Sequence, residues 1–184
     1  MLTIACVFKE SATYKREHVT RLRKMLIGRV NEPFQFVCVE SELPGWWGKI
    51  DLFKPGRFNG RVLYLDLDVT LVSDLRQIIH YPSRFSGIRD WLNKGINSSV
   101  MVWDSGVADH LYTNFMKRNA MDIMSKYMGD QDWINDNVIA DKFPKEWCPS
   151  YKYNIRETGV IPDTAKIIVF HGEPKPWDIN VSTR

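Results

Sequence analysis

The chain has 184 residues, of which 44% are hydrophobic and 26% charged, a composition typical of globular rather than disordered proteins. Its net charge of +3 is too small to indicate a nucleic-acid-binding protein. The sequence has no apolar stretch of about 18 residues, the length that a membrane-spanning helix needs. We therefore expect a single compact domain over residues 1–184.

Strands and helices alternate along the chain, as the spacing of apolar residues indicates. The predicted strands comprise residues 3–8, 34–39, 61–65, 85–88, 99–103 and 167–170. The predicted helices comprise residues 19–26 ended by Gly28, a turn at 49–53, a short helix capped by Ser73 and reaching Ile79, a stretch from Ser105 to about residue 127, and residues 133–140 capped by Asp130 or Asp132. This alternation predicts an α/β domain around a mostly parallel sheet.

The cysteines and the first residues bear on the cellular compartment. Three cysteines without Cys-x-x-Cys spacing argue against a disulfide scaffold or a zinc knuckle. Cys6 and Cys38 lie in apolar runs, so we expect them to be reduced core residues. Residues 1–5 lack the basic region and long apolar core of a signal peptide. The sequence therefore predicts a cytoplasmic protein.

The most informative motif is Asp66-Leu67-Asp68, which directly follows the third predicted strand. Open α/β sheets bind ligands at the carboxyl ends of their strands. Two carboxylates in one cleft repel each other, and a hard divalent cation such as Mg²⁺ or Mn²⁺ would relieve that repulsion. The alternative is structural, with one aspartate capping the next turn and the other facing solvent.

A second group of polar residues follows the last predicted strand, in His171-Gly172-Glu173-Pro174-Lys175-Pro176-Trp177. A neutral imidazole can complete the coordination of a metal that carboxylates already hold. Lys175 can bind a phosphate oxygen, and Gly172 lets the backbone approach it closely. Alternatively, His171 is a hydrogen-bonded structural residue and Trp177 belongs to the core.

Two further segments place polar side chains at the ends of predicted elements. Gly129-Asp130-Gln131-Asp132 lies where a helix begins, and acidic residues there favour the helix dipole. Asn97-Ser98-Ser99 leads into a predicted strand. Taken alone, the first segment is equally well explained as a helix cap, and the second as a loop-to-strand junction.

In this order, the four segments resemble the retaining glycosyltransferases of the GT-A fold, in particular glycosyltransferase family 8, which includes glycogenin and bacterial lipopolysaccharide galactosyltransferases. The family pattern has an apolar strand running into Asp-x-Asp, an Asn-Ser/Ala-Gly entering a strand, an Asp-Gln, and a late His with Lys-Pro-Trp. The resemblance covers nearly the whole chain. It implies the GT-A fold, a Rossmann-like domain with a mostly parallel central sheet flanked by helices.

The resemblance also implies a metal-dependent enzyme that moves a hexose, with retention, from a UDP-sugar donor to an unidentified carbohydrate or other hydroxyl acceptor. It implies that Asp66, Asp68 and His171 coordinate Mn²⁺, or Mg²⁺, bound to the donor diphosphate. Asp130 and Gln131 would face the reacting sugar as catalytic residues. Donor contacts are expected from Val7, Phe8, Lys49, Asp66, Leu67, Asp68, Asn97, Ser98, Gly172 and Lys175.

The sequence departs from the family pattern in three respects. Ser99 occupies the usual glycine position, which affects the fit of the sugar. His171 and Lys175 lie closer together than in the family, so Lys175 can reach a different phosphate oxygen. The family's acceptor-binding insertions have no counterpart in this sequence.

Two other interpretations remain open. Asp66-Leu67-Asp68-Val69-Thr70-Leu71 also resembles the nucleophile motif of haloacid-dehalogenase-type phosphatases, in which the first aspartate attacks phosphorus and the second is a general acid/base. That family carries the motif on its first strand, whereas two predicted strands precede it here. A nucleotide-sugar-binding protein without catalysis is the other alternative. Trp46-Trp47 and Trp91 favour sugar recognition if their rings are exposed for stacking, but not if they pack onto the core.

Overall fold

The computed structural model describes residues 1–179. Its strands are β1 Leu2–Phe8, β2 Phe34–Glu40, β3 Arg61–Leu65, β4 Val69–Leu71, β5 Phe85–Arg89, β6 Ile96–Asp104, β7 Asp141–Lys142 and β8 Ile167–Val169. Its α-helices are α1 Arg16–Leu26, α2 Arg76–Ile79, α3 Asp109–Lys117, α4 Ala120–Lys126 and α5 Asp130–Asn137. A 3₁₀ segment covers Gly45–Phe53, and a π-helical turn covers Tyr151–Ile155.

The central sheet has six strands in the order β2-β1-β3-β6-β5-β7. β1 runs parallel to both β2 and β3, and β5 runs parallel to β7, whereas β6 is antiparallel to its two neighbours. β4 and β8 form a separate antiparallel pair. The predicted α/β fold with a mostly parallel sheet is confirmed, with β6 as the reversed strand.

The inner strands β1, β3, β5 and β6 are buried on both faces, as their apolar residues at successive positions predict. On one face, Ile4 and Cys6 of β1 belong to a core cluster with Leu22 and Leu26 of α1. On the other face, Ala5 belongs to a cluster with residues of the 3₁₀ segment, α3 and α5. The sheet is therefore the middle layer between two helical layers. Among residues 1–179, the structure has no helix with the length and apolar character to cross a membrane.

The helix predicted from Ser105 to about residue 127 is wrong, because this stretch forms two shorter helices after a turn. The turn contains Gly106 at a φ of +87°, a conformation that favours glycine. The chain leaves the helical conformation at Arg118, and Asn119 starts α4 by accepting a hydrogen bond from the N–H of Met121 at 3.2 Å. A capping side chain in the middle of an apolar pattern therefore divides the helix.

Two predicted helix caps are also wrong. Asp74, rather than Ser73, accepts a hydrogen bond from the N–H of Arg76 at the start of α2, at 2.8 Å. Asp130 is the first residue of α5 and not its cap, and Gly129 occupies the cap position. This difference matters for the site, because the Asp130 side chain is buried.

Candidate functional site

The pairing of β3, β4, β6 and β8 brings two of the polar segments together. Asp66-Leu67-Asp68 connects β3 to β4, and the N–H of its first aspartate donates to the carbonyl oxygen of Ser99 in β6 at 2.8 Å. β8 pairs with β4, and the N–H of Phe170 donates to the carbonyl oxygen of the second aspartate at 3.1 Å. His171, the next residue, therefore lies beside the acidic motif.

The other two segments meet because α5 is attached to β6. The side chain of Asn135 in α5 bonds to both backbone groups of Ile96, each at 2.9 Å. A Cβ at Gly95 would lie 2.5 Å from that side chain, so only glycine fits there without a shift. The start of α5, with Asp130, is thereby held against the start of β6.

The four segments line one open cavity with a volume of about 1000 Å³, at the upper end of small-molecule sites. Its lining includes the predicted residues Val7, Lys49, Asp66, Leu67, Asp68, Asn97, Ser98, Asp130, Gln131, His171, Gly172 and Lys175. Phe8 lies elsewhere: successive strand residues point to opposite faces, and Phe8 packs in the core under the Arg16 guanidinium. The structure therefore brings together the predicted site residues except Phe8.

One end of the cavity contains four connected side chains, which we call the floor cluster: Lys49, Asp66, Ser98 and Asp130. Lys49 Nζ donates to Asp66 Oδ2 at 3.1 Å and to Ser98 Oγ at 3.0 Å, and lies 3.6 Å from Asp130 Oδ2. Ser98 Oγ donates to Asp130 Oδ2 at 2.7 Å. Tyr64 OH donates to the other oxygen of Asp66. The cluster joins β3, β6, α5 and the 3₁₀ segment in one polar network.

Lys49 points into the protein because it belongs to the 3₁₀ segment Gly45–Phe53, most of whose residues are buried. Gly48 lets this segment approach β1 closely. A Cβ at that position would lie 3.1 Å from Val7 Cγ1 and from Ser41 Cβ, tighter than ordinary contact. The local sequence therefore fixes the lysine at the cavity floor.

The floor cluster carries two carboxylates and one ammonium group. Burial tends to lower the pKa of Lys49, but the carboxylates of Asp130 and Asp66 outweigh it and raise that pKa to about 12. Burial raises the pKa of Asp66, although the nearby lysine opposes the shift. With its three groups ionised, the cluster has a net charge of −1 and attracts a further cation.

A second group, the tail cluster, consists of Tyr14, Asp68 and Lys175. Lys175 Nζ donates to Asp68 Oδ2 at 2.7 Å and to Tyr14 OH at 3.1 Å. Tyr14 OH donates to the same carboxylate oxygen at 2.7 Å. Burial and the Asp68 charge raise the pKa of Tyr14, so the phenol stays protonated as a donor. The second aspartate of the motif is therefore bound to the segment after β8.

His171 lies between two aromatic rings at the edge of the cavity. The Trp91 ring stacks on the imidazole at 4.8 Å between centroids, and the Tyr153 ring lies at 5.0 Å. Its Nε2 is 2.7 Å from Ser150 Oγ. Burial and the charge of Lys152 lower the pKa of His171, which favours the neutral imidazole that metal coordination requires.

Gln131 has a fixed orientation. Its Oε1 accepts hydrogen bonds from Asn97 Nδ2 at 2.9 Å and from the Ser98 N–H at 3.3 Å. Its Nε2 donates to Asp90 Oδ2 at 2.9 Å. Asp90 in turn accepts bonds from two backbone N–H groups of the following loop. The amide is therefore held at both ends, with its oxygen toward β6.

The donor set of the acidic motif and His171 suits a hard divalent cation in chemistry, and two observations bear on the fit. Each aspartate binds one lysine ammonium, so a cation already lies against each carboxylate. Within residues 1–179, no three His, Cys, Asp or Glu side chains stand in the arrangement of a metal site. The donor types suit such an ion, but the described side chains are not in coordinating positions, and an ion would have to displace Lys175 from Asp68.

Sequence reasoning missed four residues that shape the site: Tyr14, Asp90, Trp91 in its actual role, and Ser150. Tyr14 lies 54 positions from its partner Asp68, and Asp90 lies 41 positions from Gln131. No local motif marks either residue. Trp91 was considered from the sequence only for stacking on a sugar ring or packing on the core, whereas its ring stacks on His171.

An exposed apolar rim borders the cavity near α5. Trp46 is 60% exposed and Met128 is 90% exposed, and both line the opening. A Cβ at Gly129 would lie 2.9 Å from Trp46 Nε1, so the indole packs directly on that backbone. Trp47, in contrast, is buried in the core. Of the tryptophan pair, only the first residue is available for ring stacking.

Comparison with known proteins gives structural matches alone, since no family model and no curated protein matches the sequence. The chain superposes on the glycosyltransferase GlyE of Streptococcus pneumoniae TIGR4 with a TM-score of 0.64 at 14% identity, covering 99% of this chain and 57% of GlyE. It superposes on the bifunctional glycosyltransferase WbbM with a TM-score of 0.67 at 12% identity, covering 96% of this chain and 46% of WbbM.

A third match is the galactosyltransferase LgtC, in complex with donor and acceptor sugar analogues. The TM-score is 0.64 at 12% identity, and the match covers 96% of this chain and 89% of LgtC. At such identities the likeness establishes the fold. The chain has the GT-A fold of these glycosyltransferases, as its motifs suggested, and it spans little more than half the length of GlyE.

Proposed function

We propose that this chain transfers a hexose from UDP to a hydroxyl acceptor, with a divalent cation and the donor bound in the cavity. The observation that carries the proposal is the convergence of all four polar segments on one cavity of a GT-A fold. Fold alone does not define activity, because function depends on the site. Here the site residues and the fold are consistent with the same reaction.

The proposed ligands of Mn²⁺ or Mg²⁺ are Asp66, Asp68 and His171. When bound, such an ion neutralises the charge that develops on the leaving diphosphate. If an ion were bound at Asp68, Lys175 would lose its one carboxylate partner in the tail cluster, and the donor diphosphate would offer it a new one. The lysine then stabilises the same leaving group by charge-assisted hydrogen bonds.

The proposed reaction breaks the bond between the anomeric carbon and the diphosphate oxygen, whose electron pair stays on UDP. The acceptor oxygen forms the new bond on the same face of the sugar, and its proton goes to a diphosphate oxygen. Positive charge develops at the anomeric carbon in the transition state. Because the acceptor attacks from the face that the leaving group departs from, the configuration at the anomeric carbon is retained.

Asp130 and Gln131 are the proposed catalytic residues on the other side of the sugar. Both residues line the cavity, where the Asp130 carboxylate would supply negative charge and the Gln131 amide oxygen, which also accepts bonds from Asn97 and Ser98, a partial negative charge. Such preorganised dipoles stabilise developing charge without reorganisation. Asp90 and Asn97 act as positioning residues, since they hold the Gln131 amide at both ends.

The acceptor side of the proposed site is the rim formed by Trp46 and Met128. An exposed indole offers a flat apolar face on which a sugar ring can stack. The rim lies next to Gly129 and thus beside the residues that would face the donor sugar. This supports a carbohydrate acceptor.

The test is UDP release from a panel of UDP-hexoses, with and without Mn²⁺, for wild type and for Asp68→Asn. The asparagine keeps an acceptor for Tyr14 and Lys175, so the protein should fold while the metal ligand is lost. Asp122→Asn, at an exposed site in α4, is the matched control and should release UDP like wild type.

We expect Mn²⁺-dependent UDP release that Asp68→Asn abolishes. Undiminished release by that variant would exclude the metal role. A nucleotide sugar that raises the melting temperature without being hydrolysed or transferred would identify a binding protein rather than an enzyme.

A further inference from the structure

Two cysteines lie side by side on neighbouring strands, outside the proposed donor site. Cys6 of β1 and Cys38 of β2 are direct partners in the parallel register. Parallel strands lie about 4.8 Å apart, within the roughly 4.4–6.8 Å between Cα atoms that a disulfide allows. Both side chains pack on the same core cluster, so both lie on one face of the sheet.

The two thiols differ in exposure. Cys6 is fully buried, whereas Cys38 is partly exposed because β2 is the edge strand of the sheet. An oxidant that enters from solvent therefore meets Cys38 first. Cys6 lies behind it, in the position of a thiol that could resolve an oxidised neighbour.

The surroundings of Cys38 favour its thiolate. The neighbouring Cys6 thiol lowers the pKa of Cys38 and the cation of Arg16 acts in the same direction, while burial opposes them. Arg16 Nη1 lies 4.0 Å from Cys38 Sγ. The thiolate is the form that reacts with peroxides, so position and charge both select Cys38 as the reactive member.

We propose that Cys38 and Cys6 are a redox-active pair that forms a reversible disulfide between β1 and β2. The Cys38 thiolate attacks hydrogen peroxide, the O–O bond breaks, and sulfenic acid and hydroxide form. The sulfur of Cys6 then attacks the sulfenic sulfur, the S–O bond breaks, and the released hydroxide takes the Cys6 proton as water. In total, two thiols and one peroxide give one disulfide and two waters.

The disulfide would link the strands next to the cavity wall. Val7, the residue after Cys6, lines the cavity, and the β1 carboxyl end continues into Lys9 and Glu10, which also line it. Oxidation would therefore join the edge strand to the strand that borders the proposed donor site. The pair is independent of whether the chain is a glycosyltransferase.

The experiment treats the whole folded chain with hydrogen peroxide, blocks remaining thiols, and measures intact mass and non-reducing peptide maps. We expect a loss of two hydrogen masses, a crosslink between the peptides of Cys6 and Cys38, and full recovery with dithiothreitol. Cys148 is fully buried, at 1% exposure, and serves as the internal control that stays reduced.

Single-residue variants distinguish the reactive role of Cys38 from the resolving role of Cys6. Cys6→Ala should leave Cys38 as a sulfenic acid that dimedone traps, and Cys38→Ala should leave Cys6 unmodified. Arg16→Gln, at a residue that does not line the cavity, should slow the labelling of Cys38 several-fold. A Cys38 that is over-oxidised without a crosslink, linked between two chains, or unreactive in the wild type would overturn the proposal.

Discussion

The floor cluster and the tail cluster both pair one aspartate of the same motif with one lysine, yet they are held in different ways. Lys49 belongs to a 3₁₀ segment packed into the core, and the backbone of Asp66 is bonded to β6. Lys175 reaches Asp68 from a segment 107 positions later in the chain. The floor cluster is therefore part of the fold, whereas the tail cluster is a contact that a ligand can rearrange.

The segment that carries Lys175 makes further contacts besides the bond to Asp68. Trp177 stacks on His18 of α1 with ring centroids 3.6 Å apart. The backbone N–H of Lys175 donates to Asp178 Oδ2 at 2.8 Å. These contacts can hold the segment in place while the lysine side chain exchanges partners, so we expect loss of the Lys175 ammonium to alter ligand binding more than folding.

The largest expected effect is that of Lys49→Met. The change leaves Asp66 and Asp130 buried without their cation, and breaking a buried pair from one side typically costs about 3–5 kcal/mol. Urea unfolding measures this loss. Lys54→Met, at the exposed residue that follows the same segment, is the control. A Lys49→Met protein as stable as the control would show that the floor cluster is not part of the folding core.

Ser98→Ala should cost less, about 1–3 kcal/mol, because it removes one neutral donor to the buried Asp130 carboxylate and leaves Lys49 nearby. The free energy of unfolding in urea is again the readout. Ser125→Ala, on an exposed face of α4, provides the comparison. Equal values for the two variants would mean that solvent replaces the Ser98 bond.

A smaller, pH-dependent effect on stability is expected at His18, on which Trp177 stacks. Burial lowers the pKa of His18, whose Nδ1 accepts a bond from the Lys15 N–H at 3.0 Å. The unfolded chain therefore takes up the proton more readily, so stability is full above the ordinary pKa of about 6.5 and falls as pH drops below it. Loss of the hydrogen bond between the Lys15 N–H and His18 should lower the free energy of unfolding by about 1 kcal/mol.

Urea midpoints at pH 7.5 and 5.5 measure this loss in wild type and in His18→Gln, whose amide oxygen can accept the same bond without titrating. The wild type should lose more stability over this interval than the variant. An identical pH dependence in both proteins would contradict the assignment to His18.

The smallest expected stability change is that of Trp46→Ala at the rim. The side chain is 60% exposed, and such a substitution usually changes stability within about 0.5 kcal/mol. UDP release should be unchanged, while transfer to simple glycosides should fall. Ile139→Ala, fully exposed and away from the cavity, is the control. Transfer that is unaffected by Trp46→Ala would exclude the rim as the acceptor platform.

Much of the site could be predicted from the sequence because its polar residues lie at the ends of elements. Parallel and antiparallel pairing brings such ends to common edges, so Asp66-Leu67-Asp68, Asn97-Ser98, Asp130-Gln131 and Lys175 all reach the cavity. Phe8 was misplaced because the sequence did not say which face of β1 borders the cavity. Alternation along the strand places Val7 there and Phe8 in the core.

The ion pairs could not be predicted, because they join residues that no local pattern connects. The partner of Asp68 depends on the antiparallel pairing of β4 and β8, two strands of three residues each. Only β8 was predicted from the sequence, since Val69-Thr70-Leu71, with two apolar residues, gives little strand signal. The position of Tyr14 likewise depends on how α1 packs.

The most direct test of the donor site compares the melting temperature of wild type and Lys175→Met in Mn²⁺ alone, in UDP alone, and in both together. In the wild type, Lys175 competes with Mn²⁺ for Asp68, so we expect little shift with the ion alone and a large one with both ligands. At 100 times the dissociation constant, binding adds about 2.7 kcal/mol to stability. In Lys175→Met, Mn²⁺ alone should raise the melting temperature. If no combination of Mn²⁺ and UDP shifts the wild-type melting temperature, the cavity is not a nucleotide-sugar site.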